Sequence, residues 1–377
     1  MISWWLSRQN IPSKGRWGIS EIKTSEPLKN KGRRLSPEAA ENITGVFNLN
    51  QALKTLEGKK ALLICLHDDP DPDALAAGWG LSFVLVKALG IQTTLGFNGI
   101  IGRAENRAMV QELGIPVNRI RSLNISRFDG VFLVDTQPAA ENHSVPDELP
   151  ILGCIDHHPV LGPENAIPWF DVRPNGETCS AIVLQYLISL EIEVHPDLAT
   201  AILYGIKTDT RDLSRQATPP DHRAYTYVLS RANFPALGAI VNPRLDPVYF
   251  QMLHRALDAA CLHENATVLF LGDLPYPDLV AEMADLFVRR REMQWCLCGG
   301  VYNRFLRFSL RTETDRPNAG EVARNLVRRR SGSAGGHDMI AGGYLPLAQQ
   351  NLSAIGLWNV LVQEFLKAVE AGPALES

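Results

Sequence analysis

The sequence is poor in cysteine, nearly balanced in charge and without long apolar runs, and each shortage narrows what the chain can be. Six cysteines in 377 residues are too few and too scattered to frame a disulfide-stapled domain. Only Cys296 and Cys298 stand close together. They alternate within an apolar strand pattern, so they face one side of a sheet; with no partners for zinc, they read as core packing. No apolar segment reads as long enough to span a bilayer. Residues 1–40 contain Trp4, Trp5 and Trp17 but Ser, Lys and Arg throughout, with no apolar core of signal-peptide length. They are expected to be a disordered arm, and the chain to be cytoplasmic with reduced thiols. A net charge of −4 excludes a broadly basic surface that coats nucleic acid and leaves room for a local cationic site. There is no internal repeat and no low-complexity tract.

What is present is a repeated arrangement of short apolar runs followed by acidic and histidine clusters. Ala61–Leu66 leads into His67-Asp68-Asp69-Pro70-Asp71-Pro72-Asp73. Gly130–Val134 leads into Asp135-Thr136. Pro150–Ile155 leads into Asp156-His157-His158. Apolar runs of four to six residues between turn signals read as buried strands of a parallel sheet, and ligands of open α/β sheets bind beyond the carboxyl ends of the strands. One Asp after one strand is ordinarily a turn or cap residue. Three such clusters on one rim hold more carboxylates than can stay ionised together without cations, which points to a metal site. Hard oxygens mixed with imidazole suit Mn²⁺ or a similar first-row ion.

These motifs resemble those of the DHH phosphoesterases, over a stretch from about Val46 to Phe365. His67–Ala74 is similar to the first motif, Val134-Asp135-Thr136 to the second, and Asp156-His157-His158 to the name-giving third. Tyr204–Thr210 is similar to the fourth, and Gly335–Gly343 to the glycine-rich motif of the partner domain called DHHA1. The resemblance implies two divalent ions, Mn²⁺ first and Mg²⁺ or Co²⁺ as alternatives. One would be held by His67, Asp71 and Asp135, the other by Asp73, Asp135, His157 and Asp209, with Asp135 as the bridge. It also implies that Asp156 orients an imidazole and that His158 faces the phosphate. Gly335, Gly336 and His337 would grip phosphate through a glycine-rich turn, with Arg311 as a further contact. Arg211, where the family commonly has Gly, would point an extra cation towards the site. Ala334 and Ala77 are further departures, in place of Gly and Ser, and bear on substrate preference.

The organisation expected is α/β: a doubly wound parallel sheet over residues 41–242, a helical linker over 243–263, and a smaller α/β domain over 264–377 across a cleft. Helices are expected over Asn42–Leu56, Ala74–Leu89, Glu105–Leu113, Cys179–Leu190, Pro196–Ile206, Val248–Leu262, Tyr276–Arg290, Gly320–Arg330 and Leu352–Val369. Strands are expected over Thr93–Phe97 and Thr267–Leu271, and a hairpin over Trp295–Val301 and Phe305–Thr312. The arginine runs 289–291 and 328–330 read as solvated helix ends.

Within the family, the glycine-rich motif argues against the pyrophosphatase branch. The length leaves no room for the added modules of RecJ-type exonucleases, and the spans of membrane-bound cyclic-dinucleotide enzymes are absent. The expected activity is hydrolysis of short oligonucleotides or linear dinucleotides such as pGpG or pApA, and of adenosine 3′,5′-bisphosphate. Alternatives are action on polyphosphate, which would not need a base-stacking surface such as Tyr302 or Phe305 offers, action on cyclic dinucleotides, and a nucleotide-binding regulator with a vestigial site. No membrane partner is expected, and a homodimer is allowed.

Overall fold

Six strands hydrogen-bond side by side into one parallel sheet, and their order decides where the acidic clusters end up. The computed structural model describes residues 48–140, 142–162, 167–174, 176–314, 317–337 and 339–370. The arm expected over residues 1–40 lies outside them. The lead-in helix is described from Leu49 to Thr55 (α1), where the Asn48 side chain caps it by accepting from the Gln51 N–H.

The strands are Ala61–Leu66 (β1), Gln92–Phe97 (β2), Val117–Arg119 (β3), Val131–Val134 (β4), Ile151–Asp156 (β5) and Trp169–Val172 (β6), ordered β3-β2-β1-β4-β5-β6. The chain moves outward from β1 to β3, then restarts on the other side of β1 with β4. That reversal opens a crevice beyond the ends of β1 and β4, the place where such sheets bind ligands. Leu62, Ile64, Leu66, Phe132, Val134 and Ile155 face the helices. The alternate residues Leu63, Cys65, Val131, Leu133 and Cys154 pack with Ile120, Phe128 and Leu149 on the other face.

Helix Pro72–Leu89 (α2) begins two residues earlier than its apolar pattern predicts. Asp71 is its N-cap, accepting from the N–H groups of Asp73 and Ala74, and Pro72 occupies the first turn, where a missing N–H costs nothing. Contrary to expectation, this helix is long and apolar enough to cross a membrane by length and composition. Its apolar residues are instead buried in the core above the sheet. Ala104–Leu113 (α3), Cys179–Ser189 (α4) and Pro196–Asp209 (α5) follow the expected pattern. Gly205 of α5 lies so close to the start of α2 that an added Cβ would meet Ser180 Oγ at 2.5 Å and the Asp73 Cα at 3.2 Å. Two further helices, Pro219–Leu229 (α6) and Phe234–Val241 (α7), and the strands β3 and β6 are additions to the expected elements. The start of α6 carries a local signal, a capping box between Thr218 and Asp221.

Pro247–Ala259 (α8) ends three residues short of its expected bound. Cys261–Leu262 is a strand (β7), closed onto the next strand by His263 N–H donating to Ala266 O. The second sheet contains β7, Ala266–Asp273 (β8), Trp295–Tyr302 (β9), Phe305–Thr312 (β10), Ser333–His337 (β11) and Ile340–Pro346 (β12), ordered β11-β12-β10-β9-β8-β7. Leu279–Phe287 (α9), Ala319–Val327 (α10) and Ala354–Ala368 (α11) pack against it. The β9–β10 hairpin is as expected, turning through Asn303 and Arg304 at φ of 48° and 67°, the left-handed pair that suits a two-residue turn. Cys296 and Cys298 are buried together beneath α9. All six cysteines are free thiols.

The glycine-rich segment corrects an expectation. Gly335, Gly336 and His337 are not a phosphate-cradling turn but part of β11, paired with Gly342, Ala341 and Ile340 of β12. Gly336 adopts φ +136°, and an added Cβ there would meet Ile340 O at 2.3 Å.

Candidate metal centre

β1, β4 and β5 end beside one another, so the residues that follow them converge. Asp135 lies at the centre, 3 % exposed, in left-handed backbone at φ 60°, a conformation Asp reaches more readily than most residues. Its N–H donates to Ile155 O at 2.9 Å, which fixes it against β5. One carboxylate oxygen is 3.6 Å from His67 Nε2. The other is 3.5 Å from His157 Nε2 and 3.6 Å from His158 Nδ1.

Three groups of ligand atoms, each within 4.8 Å, share Asp135. The first is His67, Asp71 and Asp135. The second is Asp73, Asp135, His157 and Cys179. The third is Asp135, Asp156, His157 and His158. Asp209, the last residue of α5, stands at the edge, 3.9 Å from His157 Nδ1. The six residues expected to hold metal are thus brought together by four separate parts of the chain.

Two of these carboxylates also build the fold. Asp71 caps α2, and Asp73 caps α4 by accepting from the N–H groups of Cys179 at 2.8 Å and Ser180 at 2.9 Å. Asp71 takes both of its bonds on Oδ1 and keeps Oδ2 for a cation, while each Asp73 oxygen keeps a second lone pair. Burial and the neighbouring charges of Asp135 and Asp209 push the Asp73 carboxyl well above the usual carboxylate range. Burial pushes Asp209 up to about 6, with Asp71 and Asp135 adding to it. Burial would lower the His67 imidazole, but Asp71 and Asp135 outweigh it and hold it up at about 10. Buried carboxylates set this close to one another and to imidazoles favour a cation among them. The donor set fits hard divalent ions.

Asp156 has a different surrounding. One oxygen accepts from His158 Nδ1 at 2.8 Å and from the N–H of His157 at 2.8 Å. The other accepts from Gln137 Nε2 at 2.7 Å. So engaged, and 1 % exposed, it is placed to orient His158. Gln137 was not singled out by the sequence, nor was Cys179, whose thiol donates to Asp135 Oδ1 at 3.5 Å.

The cations expected at the phosphate are arranged otherwise. Arg311 is 4 % exposed. It pairs through Nε with Asp285 of α9 and donates through Nη1 to Ser309 Oγ and Leu310 O. Asp285 also takes Arg103 Nη2 at 2.8 Å, tying the loop before α3 to α9. Arg211 has a carboxylate beside it, its Nη1 lying 3.5 Å from Glu313. The guanidinium of Arg215 adjoins the cluster. It donates from Nη2 to Asp209 O at 3.0 Å, while its Nε and Nη1 are buried with no hydrogen-bond partner among the described residues. It sits within electrostatic reach of Arg211, Arg311 and Asp285. Three consecutive left-handed residues, Arg211, Asp212 and Leu213, turn the chain back after α5 towards it. The side chain of His337 lies outside the described residues.

No family model matches the chain. An uncharacterized protein of Methanocaldococcus jannaschii is 29% identical over 341 residues, 90% of this chain and 68% of its own length. A probable manganese-dependent inorganic pyrophosphatase of Streptococcus equi subsp. zooepidemicus is 28% identical over 165 residues, 43% of this chain and 52% of its own. The chain thus spans about half the length of that relative. Among solved structures, an exopolyphosphatase-related protein from Bacteroides fragilis superposes with TM-score 0.64 at 14% identity, covering 87% of this chain and 99% of that one. RecJ in complex with Mn²⁺ from Thermus thermophilus gives TM-score 0.50 at 15% identity, covering 89% of this chain and 55% of that one. At these identities the likeness is one of fold, and it extends over both sheets. The chain has the fold of the DHH/DHHA1 proteins.

Proposed function

We propose that this protein is a metal-dependent phosphoesterase that uses two divalent ions, Mn²⁺ foremost, to hydrolyse short oligonucleotides or linear dinucleotides. The observation that carries the reading is Asp135, one buried carboxylate shared by three groups of ligand atoms. His67, Asp71 and Asp135 would hold one ion, and Asp73, Asp135, His157 and Asp209 the other. Bound there, the ions would supply Lewis-acid polarisation of the phosphoryl group and an acidified water. Asp156 holds the Nδ1 side of His158, so the imidazole can present a proton towards a leaving oxygen. Arg215 brings guanidinium donors beside Asp209, where they suit a phosphate oxygen. The cytoplasm is the compartment proposed, in keeping with six free thiols, five of them buried.

A second reading is action on inorganic polyphosphate, favoured by the likeness to the exopolyphosphatase-related protein of Bacteroides fragilis. A panel of pApA, pGpG, adenosine 3′,5′-bisphosphate and tripolyphosphate, each with Mn²⁺, Mg²⁺ and Co²⁺, decides between them. Release of mononucleotides with Mn²⁺ is expected. Turnover of tripolyphosphate alone would replace the first reading with the second, and no turnover of any of them would overturn both.

A further inference from the structure

One face of the second sheet carries a group that the metal centre does not use. Side chains alternate along β10, so Phe305, Arg307, Ser309 and Arg311 share the face on which Arg311 meets Asp285. Tyr344 of β12 stands opposite Arg307 in the register, and Tyr302 of β9 opposite Phe305. The Arg307 guanidinium lies 5.8 Å from the centre of the Tyr302 ring and 5.9 Å from that of Tyr344. Phe305 meets Tyr344 edge-on at 5.4 Å. Tyr344 is 40 % exposed, and Arg307 Nε is buried with no hydrogen-bond partner among the described residues. Asp278, within electrostatic reach of Arg307, likewise has no hydrogen-bond partner for Oδ2 among the described residues. Beside Tyr302 an open hollow of about 650 Å³ is walled by Asp273, Asn303 and Arg304.

An exposed ring backed by a guanidinium suits the flat face of a nucleobase. A bare polyphosphate chain would use the cation and gain nothing from the rings. The place also fits. Four residues of strand separate Arg307 from Arg311, about 13 Å, and Arg311 lies within reach of Arg215 beside Asp209. A ligand held at the metal centre by one phosphate reaches that far only if it carries further units.

We propose that Tyr344, braced by Arg307 and Phe305, stacks a base of the substrate. The ligand class is then a nucleoside-bearing phosphoester of at least two units, an inference that rests on the phosphoester reading above. The test is equilibrium dialysis of the full chain with a phosphorothioate-linked, 5′-phosphorylated adenosine dinucleotide, its abasic counterpart and tripolyphosphate. The wild type should bind the base-bearing dinucleotide at least tenfold more tightly than the abasic one. Tyr344→Leu should lose about five- to a hundredfold for the dinucleotide and nothing for the abasic ligand or tripolyphosphate, while Tyr344→Phe keeps the wild-type affinity. Equal wild-type affinity with and without bases overturns the subsite, as does a loss in Tyr344→Leu that is absent or common to all three ligands. Turnover of bis-p-nitrophenyl phosphate with Mn²⁺ is read separately. Its absence would sink the enzymatic reading, and the dialysis would still decide the base subsite.

Discussion

Asp156 grips His158 through Nδ1 at 2.8 Å, while the ring of His157, 4.6 Å away and tilted by 67°, addresses Asp135 instead. Adjacent imidazoles are thus given to different partners. His157→Ala should lower bound metal, measured by elemental analysis of the folded protein. His158→Ala should keep the metal and lower kcat by about a hundredfold or more, the range of a lost general acid. Equal metal loss in the two variants would contradict the division.

Asp135→Asn tests the shared carboxylate with little change to the backbone, because Asn accepts left-handed φ as Asp does. The amide removes the charge and half the acceptor capacity. Both ions and nearly all Mn²⁺-dependent activity should be lost, while the circular dichroism spectrum is unchanged. Two tightly bound ions in the purified variant would end the bridging assignment.

Arg215→Gln should raise KM for phosphoester substrates while leaving bound metal at the wild-type level. A charge-assisted hydrogen bond is worth about 1.5–3 kcal/mol, or about ten- to a hundredfold in kcat/KM. Unchanged kinetics would show that Arg215 serves only to fasten the end of α5.

Arg173 is the hub of a buried network between β6 and α4. It donates from Nε and Nη2 to Asp171 at 2.8 and 2.7 Å and from Nη1 to Glu177 and Gln185. Arg173→Met strands two buried carboxylates, which costs about 3–5 kcal/mol when one partner of a buried pair is removed. Urea denaturation should show the loss, and a shift below about 1 kcal/mol would mean the network adds little.

Glu282 of α9 has a buried Oε1 with no hydrogen-bond partner among the described residues, and burial raises its carboxyl from 4.5 to about 7. A raised folded-state value means the protonated form is favoured by folding. Its contribution is therefore full below about pH 4.5 and lost as pH rises through 7. Glu282→Gln should abolish that dependence, so the variant's Tm should exceed the wild type's by a margin that grows from pH 5 to pH 8. A constant margin across that range would refute it.

The site was legible wherever a ligand followed an apolar run, because strand ends in a parallel sheet share one rim. His67, Asp71, Asp73, Asp135 and His157 were found that way. Asp209 was found through the family resemblance to the fourth motif. What escaped depends on contacts between distant segments. Arg311 is a plausible phosphate ligand in sequence, but Asp285, in another element, claims it. Cys179 reads as a helix start, and only the approach of α4 to β4 sets its thiol against Asp135. Arg215 lies in a stretch without periodicity, where three left-handed residues redirect the chain. The glycine-rich segment shows the other limit: glycines suit a turn and a hairpin alike, and only pairing with β12 distinguishes them.

The cluster draws its donors from residues 67–73, 135, 156–158 and 209, segments far apart in sequence that meet only when β1, β4 and β5 are paired and α5 is docked. An unfolded chain therefore offers no comparable chelate. An ion that recognises the assembled donors stabilises the native state alone, by about 2.7 kcal/mol at a hundred times its dissociation constant. Resistance to a protease, followed as Mn²⁺ is titrated in, would then report occupancy of the centre before any substrate is known.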